Sequence, residues 1–380
     1  MESSFQRHTQ SGVAVSALCL ESHRETFLTA VPAAGESPEA TFARAAGMLR
    51  DNDAQPVSQQ VFGGSDRGAG NGRALEKAMG CTPLPWPVTW VEEADGVAGH
   101  HALGGVGGTQ VWAVSGAPVE SVALDGRVLG RVFEDAHARY CRLGGIVPAD
   151  PSQSRETQTR QVFERIEAGL GAVGMDFSHV VRLWFFNDDI LDWYGDFNKV
   201  RDVFFRARGV FDGLVPASTG MGGSNAAGAA LVAGVLAVKA KGDGVRAVAV
   251  PSPLQCPALE YGSAFSRAVE LTVPGLRRLF VSGTASISPE GETLHVGDVD
   301  GQIALTMDVV NAILESRGMT WSEVTRAVVY FKRREDFPRF AAYCMDRGLP
   351  TLPAVLVQND VCRDDLLFEI EVDAVLPCSS

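Results

Sequence analysis

Apolar residues recur along this chain in two rhythms, and the switches between them mark out elements. Val162, Ile166, Leu170 and Val173 fall on one helical face, as do Ile303, Met307, Val310 and Leu314; steps of three and four residues are those of an amphipathic α-helix. Behind each helix lies a stretch that repeats. Gly174-Met175-Asp176-Phe177-Ser178-His179-Val180-Val181-Arg182 aligns with Gly318-Met319-Thr320-Trp321-Ser322-Glu323-Val324-Thr325-Arg326. A short apolar run follows in both copies, Leu183 to Phe186 and Ala327 to Phe331, as expected of buried strands. A second helix then begins. Each unit therefore reads strand, strand, helix, strand, helix, strand, strand, an internal repeat that constrains any fold assignment.

The N-terminal third fits the same order without residue-level identity. Phe27 to Val31 reads as a strand, Ser37 to Asp51 as a helix capped by Ser37, and Val57 to Phe62 as a strand. Gly72 to Met79 follows as a second helix, with Val88 to Glu92 and Thr109 to Val114 as closing strands. The glycine-rich stretches Gly63 to Gly72 and Gly96 to Gly108 read as surface loops. Neither stands between a strand and a helix in a G-x-G-x-x-G pattern, which argues against a nucleotide cradle. The division expected is 1–125, 126–250 and 251–380, with an α/β unit in each.

The last strand carries the candidate chemistry. Along Leu366 to Val375, Phe368, Ile370 and Val372 point one way, and Glu369, Glu371 and Asp373 the other. Taken alone, this pattern is that of solvated acids on the open face of a half-buried sheet. The closing strands of the other two units, Leu231 to Val238 and Val111 to Ser115, carry no acid, so one cleft at most is expected to be active.

Composition narrows the classes. A net charge of −13 disfavours nucleic acid as a partner, because phosphate contacts need basic stripes. No run approaches the roughly 20 apolar residues of a membrane span, and the polar start, Met1 to Ser11, lacks a signal pattern. The seven cysteines form no C-x-x-C pair, which argues against a disulfide framework or a structural zinc site. His100-His101 is an isolated pair. A cytoplasmic enzyme without a cofactor fits best. An anionic substrate would require arginines clustered within an acidic body.

Several stretches resemble the Rid (YjgF-type) superfamily. Phe265-Ser266-Arg267-Ala268-Val269 is similar to its opening P-Y-S-Q-A-V strand, Leu279-Phe280-Val281-Ser282-Gly283 to its L-[FY]-[VI]-S-G strand, and Phe368-Glu369-Ile370-Glu371 to its closing V-E-I-E-A-V. Gln158-Thr159-Arg160-Gln161-Val162 resembles the family's first helix. The P-A-R-S arginine that holds a substrate carboxylate in the family's deaminases is missing, since the matching places read Pro216-Ala217-Ser218 and Pro353-Ala354-Val355. The chorismatase branch fits better, on Arg182-Leu183-Trp184, Tyr194-Gly195-Asp196-Phe197 with Arg201, Pro216 to Gly222, Tyr261-Gly262, Arg333-Arg334-Glu335-Asp336 and Arg363 to Glu371.

The resemblance implies tandem Rid/chorismate-mutase-like units forming a pseudo-trimer within one monomeric chain, and a small anionic, chorismate-like substrate. It singles out Glu369 as the catalytic acid. Arg267, which stands where Rid deaminases keep glutamine, leads the carboxylate clamps, with Arg201 and Arg182 next; Tyr194 and Tyr261 are candidates for a ring hydroxyl. Cys362, seven residues before Glu369, and Gly283 match the branch that releases 3-hydroxybenzoate. Two other readings stay open at this point, an imine or enamine hydrolase and a small-metabolite binding protein.

Overall fold

In the computed structural model the hydrophobic pattern resolves into three six-stranded sheets of one topology; residues 3–64, 70–93 and 105–378 are described. The first sheet holds β1 (Ser4–Gln10), β2 (Val13–Cys19), β3 (Arg24–Ala30), β4 (Gln55–Gly63), β5 (Val88–Val91) and β6 (Val106–Ser115) in the order β1-β2-β3-β6-β4-β5. The second holds β7 (Val119–Leu124), β8 (Arg127–Glu134), β9 (Ala138–Ile146), β10 (Val180–Asn187), β11 (Ala217–Gly222) and β12 (Leu231–Ala240), ordered β7-β8-β9-β12-β10-β11. The third holds β13 (Arg246–Val250), β14 (Ala268–Val273), β15 (Leu276–Ala285), β16 (Val324–Phe331), β17 (Ala354–Gln358) and β18 (Phe368–Pro377), ordered β13-β14-β15-β18-β16-β17. Within each sheet the last pair, β4/β5, β10/β11 or β16/β17, is parallel.

The strand order in the N-terminal third matches the sequence expectation, and Ser37 does cap α1 (Pro38–Asp51) by accepting from the Ala40 amide. Each sheet has one more strand than the repeat suggested, and the first also has β2, which the reading of the N-terminal third left out. The extra strands β1, β7 and β13 are edge strands with mixed exposure, so little apolar periodicity announces them. The His100-His101 pair and parts of both glycine-rich stretches lie outside the described residues.

Two helices cover one face of each sheet: α1 and α2 (Asn71–Met79), α3 (Arg155–Gly171) and α4 (Ile190–Ala207), α5 (Val299–Glu315) and α6 (Phe337–Asp346). On α5, Ile303, Met307, Val310 and Leu314 pack against Phe368, Ile370 and Val372 of β18. The opposite faces of all three sheets meet in a central core that includes Phe62, Phe133, Trp184, Phe186, Phe280, Val328 and Tyr330. The acids of β18 therefore point inward, not to solvent. Burying a carboxylate in such a place is costly unless it is paired or protonated. No helix among the described residues is long and apolar enough to cross a membrane.

A bulge recurs at one point of each sheet, between Pro56 and Ser58, Val180 and Arg182, and Val324 and Arg326. Counting from it fixes equivalent positions. Gly108, Val232 and Glu369 stand opposite Phe62, Phe186 and Tyr330; Gln110, Gly234 and Glu371 stand opposite Gln60, Trp184 and Val328.

Candidate active site

The joint between the second and third sheets is built by β11 lying alongside β15. Ser218 N donates to Ser282 Oγ at 2.9 Å, Gly283 N to Thr219 Oγ1 at 3.0 Å, and Ser266 N to Pro216 O at 3.0 Å. Strand β18 runs beside β15, with Glu369 paired to Ala285, so its side chain enters this joint.

Glu369 and Glu371 share this inner face and meet opposite conditions. Glu371 is fully buried and accepts from Arg182 Nη2 at 2.6 Å, Arg326 Nη2 at 2.7 Å and Trp184 Nε1 at 3.1 Å, and also from the Thr219 hydroxyl. Burial alone would raise its pKa; Arg326 and Arg182 outweigh it and hold the group below the usual carboxylate range. Glu369 is 5 % exposed, and its carboxyl makes no hydrogen bond among the described residues. Burial, then the charge of Glu371, push it up to about 8 against the pull of Arg182 and Arg267. Two carboxyls on one strand are thus separated into a fixed anion and a neutral acid, the arrangement that divides acid and base roles at many catalytic sites.

Gly283 faces the acid directly. A β-carbon there would overlap Glu369 Oε1 and lie 3.1 Å from Glu369 Cδ and from Thr219 Cγ2. Glycine is what allows the carboxyl to occupy this position. Arg267, just before β14, is buried, donates from Nε to Cys256 O at 2.9 Å, and acts on Glu369 through its charge. Cys362, in the connection into β18, is near enough for the Glu369 charge to reinforce burial in pushing its thiol up to about 12. At neutral pH that thiol is protonated, a weak donor and a poor nucleophile.

The remaining sequence candidates spread over the second unit. Tyr194 of α4 stacks on Phe197 and sets its hydroxyl against Gly220 of β11. Arg201 is 2 % exposed beside the Phe197 ring; Asp202 lies 3.8 Å from its Nε, and Nε and Nη2 make no hydrogen bond. Ala264, from the segment leading into β14, packs into the same α4 core, which brings the approach to Arg267 and the α4 residues to one joint. Arg182 is placed differently: Nη1 and Nη2 are taken up by Leu183 O, Thr219 and Glu371. It acts on the site by fixing Glu371. The side chain of Tyr261 lies outside the described residues.

Sequence reasoning missed Arg326, Thr219 and Tyr330 as parts of the site. Tyr330 is paired with Glu369 across β16 and β18, is fully buried, and its hydroxyl has no hydrogen-bond partner among the described residues. The repeat did hold a signal for Arg326. It aligns Arg182 with Arg326, and both grip the same carboxylate.

In the other two joints the position equivalent to Glu369 carries no acid. Gly145 N donates to Thr89 Oγ1 at 2.9 Å, as Gly283 does to Thr219, but Val232 stands in the acid's place. In the third joint the Val355 methyl groups fill the space over Gly108.

Comparison with known proteins agrees with this architecture. Residues 137–232 and 258–376 match the family described as Endoribonuclease L-PSP. A chorismatase of Streptomyces rapamycinicus is 30% identical over 287 residues, covering 69% of this chain and 80% of its own. A 3-hydroxybenzoate synthase of Streptomyces hygroscopicus is 31% identical over 262 residues, covering 61% of this chain and 73% of its own. A crystal structure of a chorismatase superposes with a TM-score of 0.67 at 20% identity, over 94% of this chain and 100% of that one; it carries the same fold. With a family match across most of its second and third units and these relatives, the chain belongs to the endoribonuclease L-PSP (Rid) family, in its chorismatase branch.

Proposed function

We propose that this chain is a chorismatase that converts chorismate to pyruvate and 3-hydroxybenzoate, with Glu369 as the proton donor. The observation that carries the reading is a buried carboxyl pushed up to about 8, with no hydrogen-bond partner among the described residues, in one of three equivalent joints. Glu369 protonates the terminal methylene of the enol ether, which places positive charge on the ether-bearing carbon and oxygen. The neighbouring ring hydroxyl oxygen then displaces the ether oxygen from its carbon, which frees pyruvate, returns the hydroxyl proton to Glu369 and leaves an arene oxide. Opening of that oxide at the carbon that first bore the hydroxyl, with loss of the hydrogen from the other oxide carbon, gives 3-hydroxybenzoate. Chorismate, C10H10O6, equals pyruvic acid plus hydroxybenzoic acid, so no net water is consumed. General acid catalysis of this kind contributes roughly 10²–10⁴-fold.

Arg267 and Arg201 are assigned to the substrate carboxylates, and Tyr194 and Tyr261 to the ring hydroxyl. Cys362 and Gly283 bear on the product: a protonated thiol beside the acid keeps the ring intermediate from water, so aromatisation outruns hydration. The 3-hydroxybenzoate synthase among the relatives supports that choice. We take the working form to be a monomer, its three units supplying the joints that separate subunits would otherwise form; sedimentation as a trimer of chains would count against this.

The test is to incubate the protein with chorismate and follow pyruvate by a coupled lactate dehydrogenase assay and aromatic products by chromatography. Pyruvate formation no faster than the uncatalysed reaction sinks the activity, and an undiminished rate in Glu369→Gln sinks the assignment of the acid. A dihydroxylated cyclohexadiene acid as the main product would retain the activity and overturn the product assignment.

A further inference from the structure

On the axis where the three sheets meet there is a cavity of about 50 Å³, separate from the joint that holds Glu369. Its walls are largely apolar, with Phe27, Trp112, Trp184 and Phe280 among them, and each unit adds a polar group: Gln60, Arg142 and Arg326. The charges around it do not cancel. Arg278 is matched by Glu25. Arg182 and Arg326 share Glu371, and Arg326 also holds Asp373 at 3.0 Å. Among the described residues no carboxylate lies within ion-pair distance of Arg142, although Asp373 and Glu371 act on it from further away. It is 5 % exposed, stacks 3.9 Å over the Trp184 ring, and uses Nη1 on the carbonyls of Leu143 and Val235. It leans over Gly234, the register equivalent of Glu371, so the second unit has a cation where the third has its anion. Burial, then the nearby Arg326, push its guanidinium down to about 9 against the weaker pull of Asp373 and Glu371.

A second observation points to a ligand. Gln60 is 5 % exposed and lines the same cavity. Its Oε1 accepts from Arg326 Nη2 at 2.9 Å, which fixes the amide's orientation and leaves Nε2 as a buried donor without a partner among the described residues. A guanidinium without an ion-pair contact and an unused N–H on one buried space call for an acceptor that carries negative charge. Asp373 also lines the cavity; its Oδ2 is held by Arg326, while its Oδ1 makes no hydrogen bond among the described residues and its charge reaches Arg142 without an ion-pair contact. A single ordered water needs roughly 10–15 Å³ of such space, so the cavity admits an ion of halide size with a water or two and is too small for the substrate.

We propose that the axial cavity binds one small, weakly hydrated monovalent anion between Arg142 and Gln60, and that this ion ties the three units together. The probe is bromide. Anomalous diffraction from crystals of the full chain soaked in sodium bromide should give a peak in the axial cavity, and thermal unfolding in sodium bromide should exceed that in sodium gluconate of equal ionic strength. At an anion concentration ten times its Kd the rise is about 2 °C for a chain of this size. Gln60→Leu and Arg142→Met should each reduce the bromide-specific rise to that of a generic salt effect. The wild-type soak stands on its own if Arg142→Met fails to fold. Water alone in the cavity, bromide at surface positions only, or a bromide-specific rise that survives in Gln60→Leu overturns the proposal.

Discussion

Replacing Glu369 by glutamine removes a titration that the fold makes costly, and the cost can be worked from the site. The group lies at 4.5 in an unfolded chain and at about 8 in the folded one, raised first by burial and then by Glu371. A raised folded value means that the folded state holds the proton while the unfolded state has lost it, so stability falls as pH rises between the two values. The stabilisation is complete below about 4.5 and gone above about 8. At 1.36 kcal/mol per unit, the protein gives up about 3 kcal/mol by pH 7 and about 5 kcal/mol once pH passes 8. Glutamine has the shape of the protonated acid and does not titrate. Glu369→Gln should therefore match the wild type near pH 4–5, exceed it by about 3 kcal/mol near pH 7, and exceed it by about 5 kcal/mol above pH 8.

Urea denaturation of both proteins across that range measures the difference, in which the titrating groups that do not feel Glu369 cancel. These figures are a large part of an ordinary folding free energy of roughly 5–15 kcal/mol, so the effect is well outside error. In chorismate turnover the same variant should lose at least about 100-fold. A more stable and less active protein is the joint outcome expected when a site holds a strained group for its chemistry. Parallel stability profiles for the two proteins would refute the claim that Glu369 is kept neutral by its surroundings.

Three further outcomes follow from neighbouring residues. Gly283→Ala must turn the Glu369 carboxyl aside, because a β-carbon would overlap Oε1; kcat should fall by about 100-fold at nearly constant Tm, as for other displacements of about 1 Å, and unchanged kcat would contradict the packing. Burial raises the Glu25 carboxyl, but Arg278 and His23 outweigh it and hold the group at about 2, so stability present above 4.5 should be lost as pH falls towards about 2, a slope that Glu25→Gln lacks; that variant should also cost about 3–5 kcal/mol by leaving Arg278 buried without its partner. With its thiol pushed up to about 12 from 9.0, Cys362 should hold about 1,000-fold less thiolate than an ordinary cysteine, and alkylation followed by mass spectrometry should find it resistant until the protein unfolds.

The elements that were legible in the sequence are those whose apolar residues face one core. Helices α3 and α5 and strands β10 and β16 bury a full face or both faces, and their periodicity survives in the sequence. Edge strands β1, β7 and β13 bury little and left no such mark. Alternation on β18 separated Glu369, Glu371 and Asp373 from the apolar face correctly, yet could not say that their side faces other sheets. That is a tertiary fact, set by the way three units close on one another. Resemblance to a family drew attention to Glu369, but the partners that tune it come from distant segments: Arg182 at one repeat, Arg326 at the next, Thr219 on a strand between. Hydrogen bonds across so many residues leave no local spacing to read.

Joining three like units in one chain changes what the axis can hold. In a trimer of identical subunits, every position near the axis occurs three times, and each carboxylate would be matched by one arginine of each equivalent kind. Here the register-equivalent places differ: where the third unit has Glu371, the second has Gly234 and the first Gln110. One carboxylate can then draw on arginines from two units, Arg182 and Arg326, and stay ionised while fully buried. Its fixed negative charge is the second largest cause that keeps Glu369 protonated. The acid therefore depends on the asymmetry of the chain as much as on its own strand. Restoring symmetry with Gly234→Glu would add a buried carboxylate beside Arg142, and the two arginines now committed to Glu371 would be drawn towards a second anion.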